Sequence, residues 1–170
     1  GVHYERSMMY HKLILEGLLR VELAYRSVGK AAPTKVASKA RQMLDAMASI
    51  ERGMGKTPFF NDSADGVAKE CGPLARACRD VYGYEPDDAK TAFPDSGFYK
   101  LYDGDAALLF FAGEPGPSYM LGHAHCDLLS FELSVAGKPV IVNSGTYAYQ
   151  SEMRPYFRST AAHNTAIIDG

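Results

Sequence analysis

Two imidazoles and a carboxylate stand two residues apart in Gly122-His123-Ala124-His125-Cys126-Asp127. In an extended backbone successive side chains alternate faces, so His123, His125 and Asp127 would project to one side, in line with Leu129, Phe131 and Leu133 of the strand expected over residues 128–135. Such a set can ligate zinc, or act as acid, base and orienting partner in proton transfer. Taken alone, His-x-His is equally open to a packed structural pair. Asn143 closes the apolar run 139–142 before a Ser144-Gly145 turn, and His163 precedes another expected strand, Ala166-Ile167-Ile168. Polar ligand types at the ends of three successive strands are what a pocket on a sheet needs.

Positioning such a pocket requires a frame, and the sequence places helices first. Ser7 can cap a helix whose apolar residues Met9, Leu13, Ile14, Leu18, Val21 and Tyr25 recur at helical spacing, with Lys12, Glu16 and Arg20 as a charged ladder opposite and Gly29 as its end. Pro33 opens a second helix that turns Val36, Ala40, Met43, Leu44, Met47 and Ile50 toward a core before Gly53. The short link predicts an antiparallel pair. Residues 57–72 are irregular and dense in turn formers at Asn61-Asp62-Ser63-Ala64-Asp65-Gly66; they lack the terminal Glu of a calcium loop. Pro73 begins a shorter helix to Tyr82, and residues 83–94, rich in Pro, Asp and Gly, form the boundary.

Beyond it the period changes to that of strands. Residues 98–102 and 106–111 flank Asp103-Gly104, a type I′ hairpin signal; after the Gly113–Pro117 loop and the His-x-His segment, Gly137-Lys138 predicts a second hairpin into 140–142. Helices followed by strands indicate an α+β class with segregated layers. The turn signal at Asp169-Gly170 and the shortage of strands for a closed sandwich predict an interior piece of a larger protein.

Composition narrows the function classes. The 170 residues are 46% hydrophobic and 22% charged, as in a folded globular protein, and the net charge of −2 argues against a nucleic-acid surface as the main business. The three cysteines, with Cys71 and Cys78 two helical turns apart, imply no disulfide framework. No run approaches the length of a membrane span, and no signal peptide is visible.

The β-region motifs, read in order, carry a resemblance. His123 to Glu132, then Val142-Asn143-Ser144-Gly145-Thr146-Tyr147, then Arg154-Pro155-Tyr156-Phe157-Arg158-Ser159-Thr160-Ala161-Ala162-His163-Asn164-Thr165 resemble the heparinase II/III-like polysaccharide lyases, and the opening Gly1 to His11 looks like a segment late in their helical domain. The resemblance implies residues 1–94 as the end of an α/α-toroid and 95–170 as the start of an antiparallel β-sandwich. It implies β-elimination of an acidic, uronate-containing polysaccharide, of glycosaminoglycan or alginate type, in the periplasm or outside a bacterial cell. Tyr10 matches the family's catalytic tyrosine, in a first helical turn where the dipole favours a phenolate; Tyr4 is the substitute. His123 matches the catalytic histidine. His125, Asn143 and His163 fall on zinc-ligand positions, although the family carries Asp where Asn143 stands, and a neutral amide is a poorer zinc ligand. No organic cofactor is implied. Asp127 would orient a histidine, Cys126 would pack on the opposite side, and Arg154, Arg158 and His11 are candidate substrate contacts. The family's further Asn/His pair from an earlier helix has no counterpart here.

Two other classes stay open. One is a carbohydrate-binding or structural module with packed histidines; the other is a zinc hydrolase on His123, His125 and Asp127.

Overall fold

A computed structural model of the protein describes residues 1–168, so the Asp169-Gly170 turn signal lies outside the described residues. Helix α1 (Met8–Ser27) starts where the Ser7 hydroxyl accepts the Tyr10 N–H at 3.3 Å. Helix α2 (Thr34–Glu51) follows, and Lys12 near the start of α1 pairs with Glu51 at the end of α2 at 2.8 Å, which makes the two antiparallel. Helix α3 (Cys71–Tyr82) packs on both.

The buried stripe of α2 is the one its periodicity predicts: Ala40, Met43, Leu44, Met47 and Ile50. That of α1 is rotated. Met8, Leu15 and Leu19 face the core, while Ile14, Val21 and Tyr25 are outside. Lys12, expected in an exposed ladder, is 1% exposed. Apolar residues occur on both sides of α1, so periodicity alone could not choose between them, and the Glu51 partner that makes the inner position tolerable for Lys12 is remote in sequence.

Strands β1 (Ala92–Phe93), β2 (Phe98–Asp103), β3 (Ala106–Phe111), β4 (Phe131–Val135) and β5 (Lys138–Ile141) form one antiparallel sheet in chain order. Both hairpins are displaced by one residue from their expected turns. Asp103 pairs with Ala106, leaving Gly104 and Asp105 as the loop, with the positive φ only at Gly104; that is not the I′ pattern, which needs two. In the second, Ala136 and Gly137 both have positive φ, as I′ requires, and Val135 pairs with Lys138. No strand forms at 166–168, where Ile167 and Ile168 are exposed. A short helix α4 (Arg154–Arg158) and a 3-10 turn (Thr160–Ala162) close the described chain.

One core runs from helices to sheet. Phe60, from the linking segment, meets Phe98 and Phe111 of β2 and β3 with ring centroids 5.4 and 5.8 Å away. Around it the layers are tied by polar contacts: Lys100 on β2 donates to the carbonyls of Ser49, Ile50 and Arg52 at the end of α2, and Ser134 on β4 donates to the Met54 carbonyl. The backbone at Gly55 lies so close to Gly137 that a side chain there would strike its carbonyl oxygen. The architecture is thus α+β, and no helix among the described residues is long and apolar enough to cross a membrane.

Candidate active site

The strand expected over 128–135 begins only at Phe131. The Ser130 N–H and hydroxyl both return to the Asp127 carbonyl, and Leu129 takes a φ of 64°, so the chain turns where it was expected to run straight. Within β4 the buried residues are Glu132 and Ser134, the reverse of the predicted alternation. The 122–127 segment is a loop, and it is pinned from three directions. Asn61, fully buried, donates its N–H to Asp127 Oδ2 at 2.8 Å and accepts the His125 N–H at 2.9 Å. Asp62 N–H donates to the His123 carbonyl. From the far side Arg158 donates to the carbonyls of Ala124 and Leu121.

Consequently His123, His125 and Asp127 do not share a face. His125 and Asp127 are buried, whereas the His123 side chain is 31% exposed and reaches α1. The convergence on which the zinc-hydrolase reading depended is absent. Cys126, expected to pack, is exposed.

What does converge is Tyr10 with His123. Their rings stack at 4.5 Å with 18° between planes, and the hydroxyl lies 3.5 Å from Nε2. A contact that long between stacked rings is weak as a hydrogen bond, but it sets both groups against one small volume. On its other side the Tyr10 hydroxyl meets that of Tyr149 at 2.5 Å. Burial, then the bond to Tyr10, pushes Tyr149 ionisation up, so Tyr149 keeps its proton, and either hydroxyl can be the donor in this pair. Tyr149 was not singled out by the sequence reading; the only signal was its place just beyond the Asn143 to Tyr147 motif. Glu5 accepts from His123 Nδ1 at 3.1 Å. Tyr4, the substitute candidate, lies against Tyr119 instead.

A second cluster centres on Asp62, whose sequence context marks only a turn former. It is fully buried and receives both guanidinium nitrogens of Arg154 (3.1 and 2.8 Å), His125 Nε2 (2.8 Å) and the Thr146 hydroxyl. Burial alone would raise its pKa; the three donors overcome that and hold it well below the ordinary carboxylate range. Arg154 then lies 4.5 Å from the Tyr149 ring centroid, so the buried ion pair also backs the tyrosine. Arg154 and Arg158 border an open groove of about 550 Å³ together with Tyr149 and Cys126. His11 is a correction: it is wholly buried, bonded to the Met43 carbonyl and to His3 N–H, and burial pushes its pKa down to about 4. A packed core histidine cannot touch a polymer in the groove.

The implied zinc ligands are near one another but do not make a zinc site. His125 Nδ1 and His163 Nε2 are buried without a hydrogen-bond partner among the described residues, and the two rings are 5.5 Å apart. The third candidate, Asn143 Oδ1, bonds His163 Nδ1 at 2.8 Å, and His125 Nε2 is held by Asp62. Among the described residues no group of three His, Cys, Asp or Glu could hold a metal ion. The amide is a poor zinc ligand and its oxygen is already taken by His163 Nδ1, so the residues present do not fit zinc.

The same helix-on-sheet arrangement occurs in solved structures. Over 96% of this chain and 29% of theirs, a mutant heparan sulfate lyase HepC from Pedobacter heparinus superimposes with a TM-score of 0.74 at 22% identity. A heparinase III, the BT4657 gene product, does so with 0.71 at 21% over 97% of this chain and 29% of its own. This chain therefore spans less than a third of those proteins. No curated protein sequence matches. A family model described as heparinase II/III-like, C-terminal, matches residues 85–170. The chain belongs to the heparinase II/III-like family.

Proposed function

We propose that the protein containing this chain is a polysaccharide lyase that cleaves an acidic, uronate-containing polymer by β-elimination, with Tyr10 and His123 as its acid and base. The observation that carries this reading is the meeting of those two side chains, 113 positions apart, at 3.5 Å, with Tyr10 bonded to Tyr149 at the border of the groove. Elimination removes the proton from the carbon bearing the uronate carboxylate, forms a carbon–carbon double bond, and breaks the bond to the glycosidic oxygen, which must be protonated as it leaves. His123 Nε2 takes the carbon-bound proton. The Tyr10 hydroxyl gives its proton to the departing oxygen, and the short bond from Tyr149 stabilises the phenolate left behind. The structural neighbours named heparan sulfate lyase and heparinase III support an acidic polysaccharide as substrate.

The test is ultraviolet absorbance of unsaturated uronate during digestion of acidic polysaccharides by the full-length protein. Tyr10→Phe removes one hydroxyl and is expected to lower kcat by about 10²–10⁴-fold with polymer binding retained. A polymer shortened without unsaturated ends, or a Phe variant as active as wild type, overturns the reading.

A further inference from the structure

We infer that Glu5 is the positioning residue for His123, fixing the neutral imidazole as its Nδ1–H tautomer so that Nε2, beside the Tyr10 hydroxyl, is an unprotonated lone pair. This rests on the lyase reading for its consequence, but not for its geometry. Glu5 lies in the segment before α1, and its side chain is 13% exposed against 31% for His123. Its Oε2 lies 3.1 Å from Nδ1, and among the described residues no other group bonds that nitrogen. An ionised carboxylate only accepts, so the shared proton belongs to Nδ1. In the neutral ring Nε2, beside Tyr10, is then the atom without one.

The segment carrying Glu5 is itself held. Asn61 Nδ2 donates to the Glu5 and Arg6 carbonyls at 3.5 and 3.4 Å, and the same Asn61 anchors the His125 and Asp127 backbone and carboxylate. One buried amide thus sets the distance between the carboxylate and the imidazole it orients. Without Glu5 the ring can rotate or change tautomer, and an Nε2–H cannot accept the substrate proton.

The experiment is ¹⁵N NMR of histidine-labelled full-length protein, with the His123 signals identified by their loss in His123→Gln, combined with steady-state kinetics. Neutral His123 is expected as Nδ1–H in the wild type and mainly as Nε2–H in Glu5→Ala. The Ala variant is expected to lose about 10²–10⁴-fold in kcat, with KM changed by no more than about threefold. Glu5→Gln, whose amide oxygen can accept the same proton, keeps more of the Nδ1–H form and more activity, which separates orientation from folding. A wild-type His123 carrying Nε2–H, or a tautomer indifferent to Glu5→Ala, overturns the inference. A tautomer that switches in a protein with no elimination activity on any acidic polymer supports the Glu5 assignment and rejects the lyase reading instead.

Discussion

Beside His163, the amide of Asn143 supplies the oxygen that an acidic residue would offer a metal, and it spends that oxygen on His163 Nδ1. Burial, reinforced by the nearby His125, pushes His163 down to about 4, which keeps its ring neutral. Asn143→Asp therefore replaces a poor neutral ligand by a carboxylate beside two partnerless imidazole nitrogens. Zinc affinity of the full-length protein, measured by titration calorimetry, is expected to rise at least about tenfold in the variant, while wild-type turnover is unchanged by a chelator. Tight stoichiometric zinc in the wild type would contradict this. Sequence motifs singled out Tyr10 and His123, which the fold brings together, because the resemblance runs through both segments. They could not identify Asn61 and Asp62, whose residue types are those of any turn and whose partners lie more than 60 positions away. Nor could they show that Arg154 is already committed to Asp62, since an arginine on a loop carries no mark of its partner.

Among the elements, β4 concentrates the polar wiring of the sheet. Glu132 is 2% exposed and accepts from the N–H groups of Phe59 (2.6 Å) and Asn143 (3.2 Å), joining three segments at one carboxylate. Burial pushes its pKa up to about 7, and those two donors only partly offset it. A carboxylic acid whose folded value is raised binds more protons folded than unfolded between its unfolded value and about 7. Its contribution to stability is therefore fully present at acid pH and declines as pH rises to 7. The difference between wild type and Glu132→Gln in unfolding free energy should follow that decline, by at most about 3 kcal/mol, in denaturant titrations between pH 4.5 and 8. A pH-independent difference would show that Glu132 is ionised throughout. The strand's existence was legible from its composition, but its inward face was not: Phe131 and Leu133 look like the core side until Glu132 and Ser134 find their backbone partners. For α2 periodicity located the apolar stripe, although Ala46, Ala48 and Ser49 near its end are buried as well.

At the scale of the whole molecule, the site exists because the helical layer and the sheet loops are joined by a few buried polar bonds rather than by the apolar core alone. Asp62 is the densest of these, linking the segment after α2 to the His125 loop and to α4. Asp62→Ala leaves the Arg154 guanidinium, 15% exposed, without its anion, and is expected to cost about 3–5 kcal/mol. Faster hydrogen exchange across residues 122–127 and 146–158 of the full-length protein would register it; unchanged protection there would refute it. Helices then strands, and hence α+β, could be read from periods alone, whereas the docking of one on the other rests on pairs that no local pattern reveals.

The near-contact between Gly55 and the Gly137 carbonyl has a consequence of its own. Neither residue holds an atom that could do chemistry, yet even a methyl group at 55 would act as a wedge, levering the β4–β5 hairpin off the end of α2. Because β5 leads directly into Asn143, that displacement would be delivered to the imidazole cluster far from where it was introduced. The single missing side chain at Gly55 thus regulates how closely the two halves of the protein can sit.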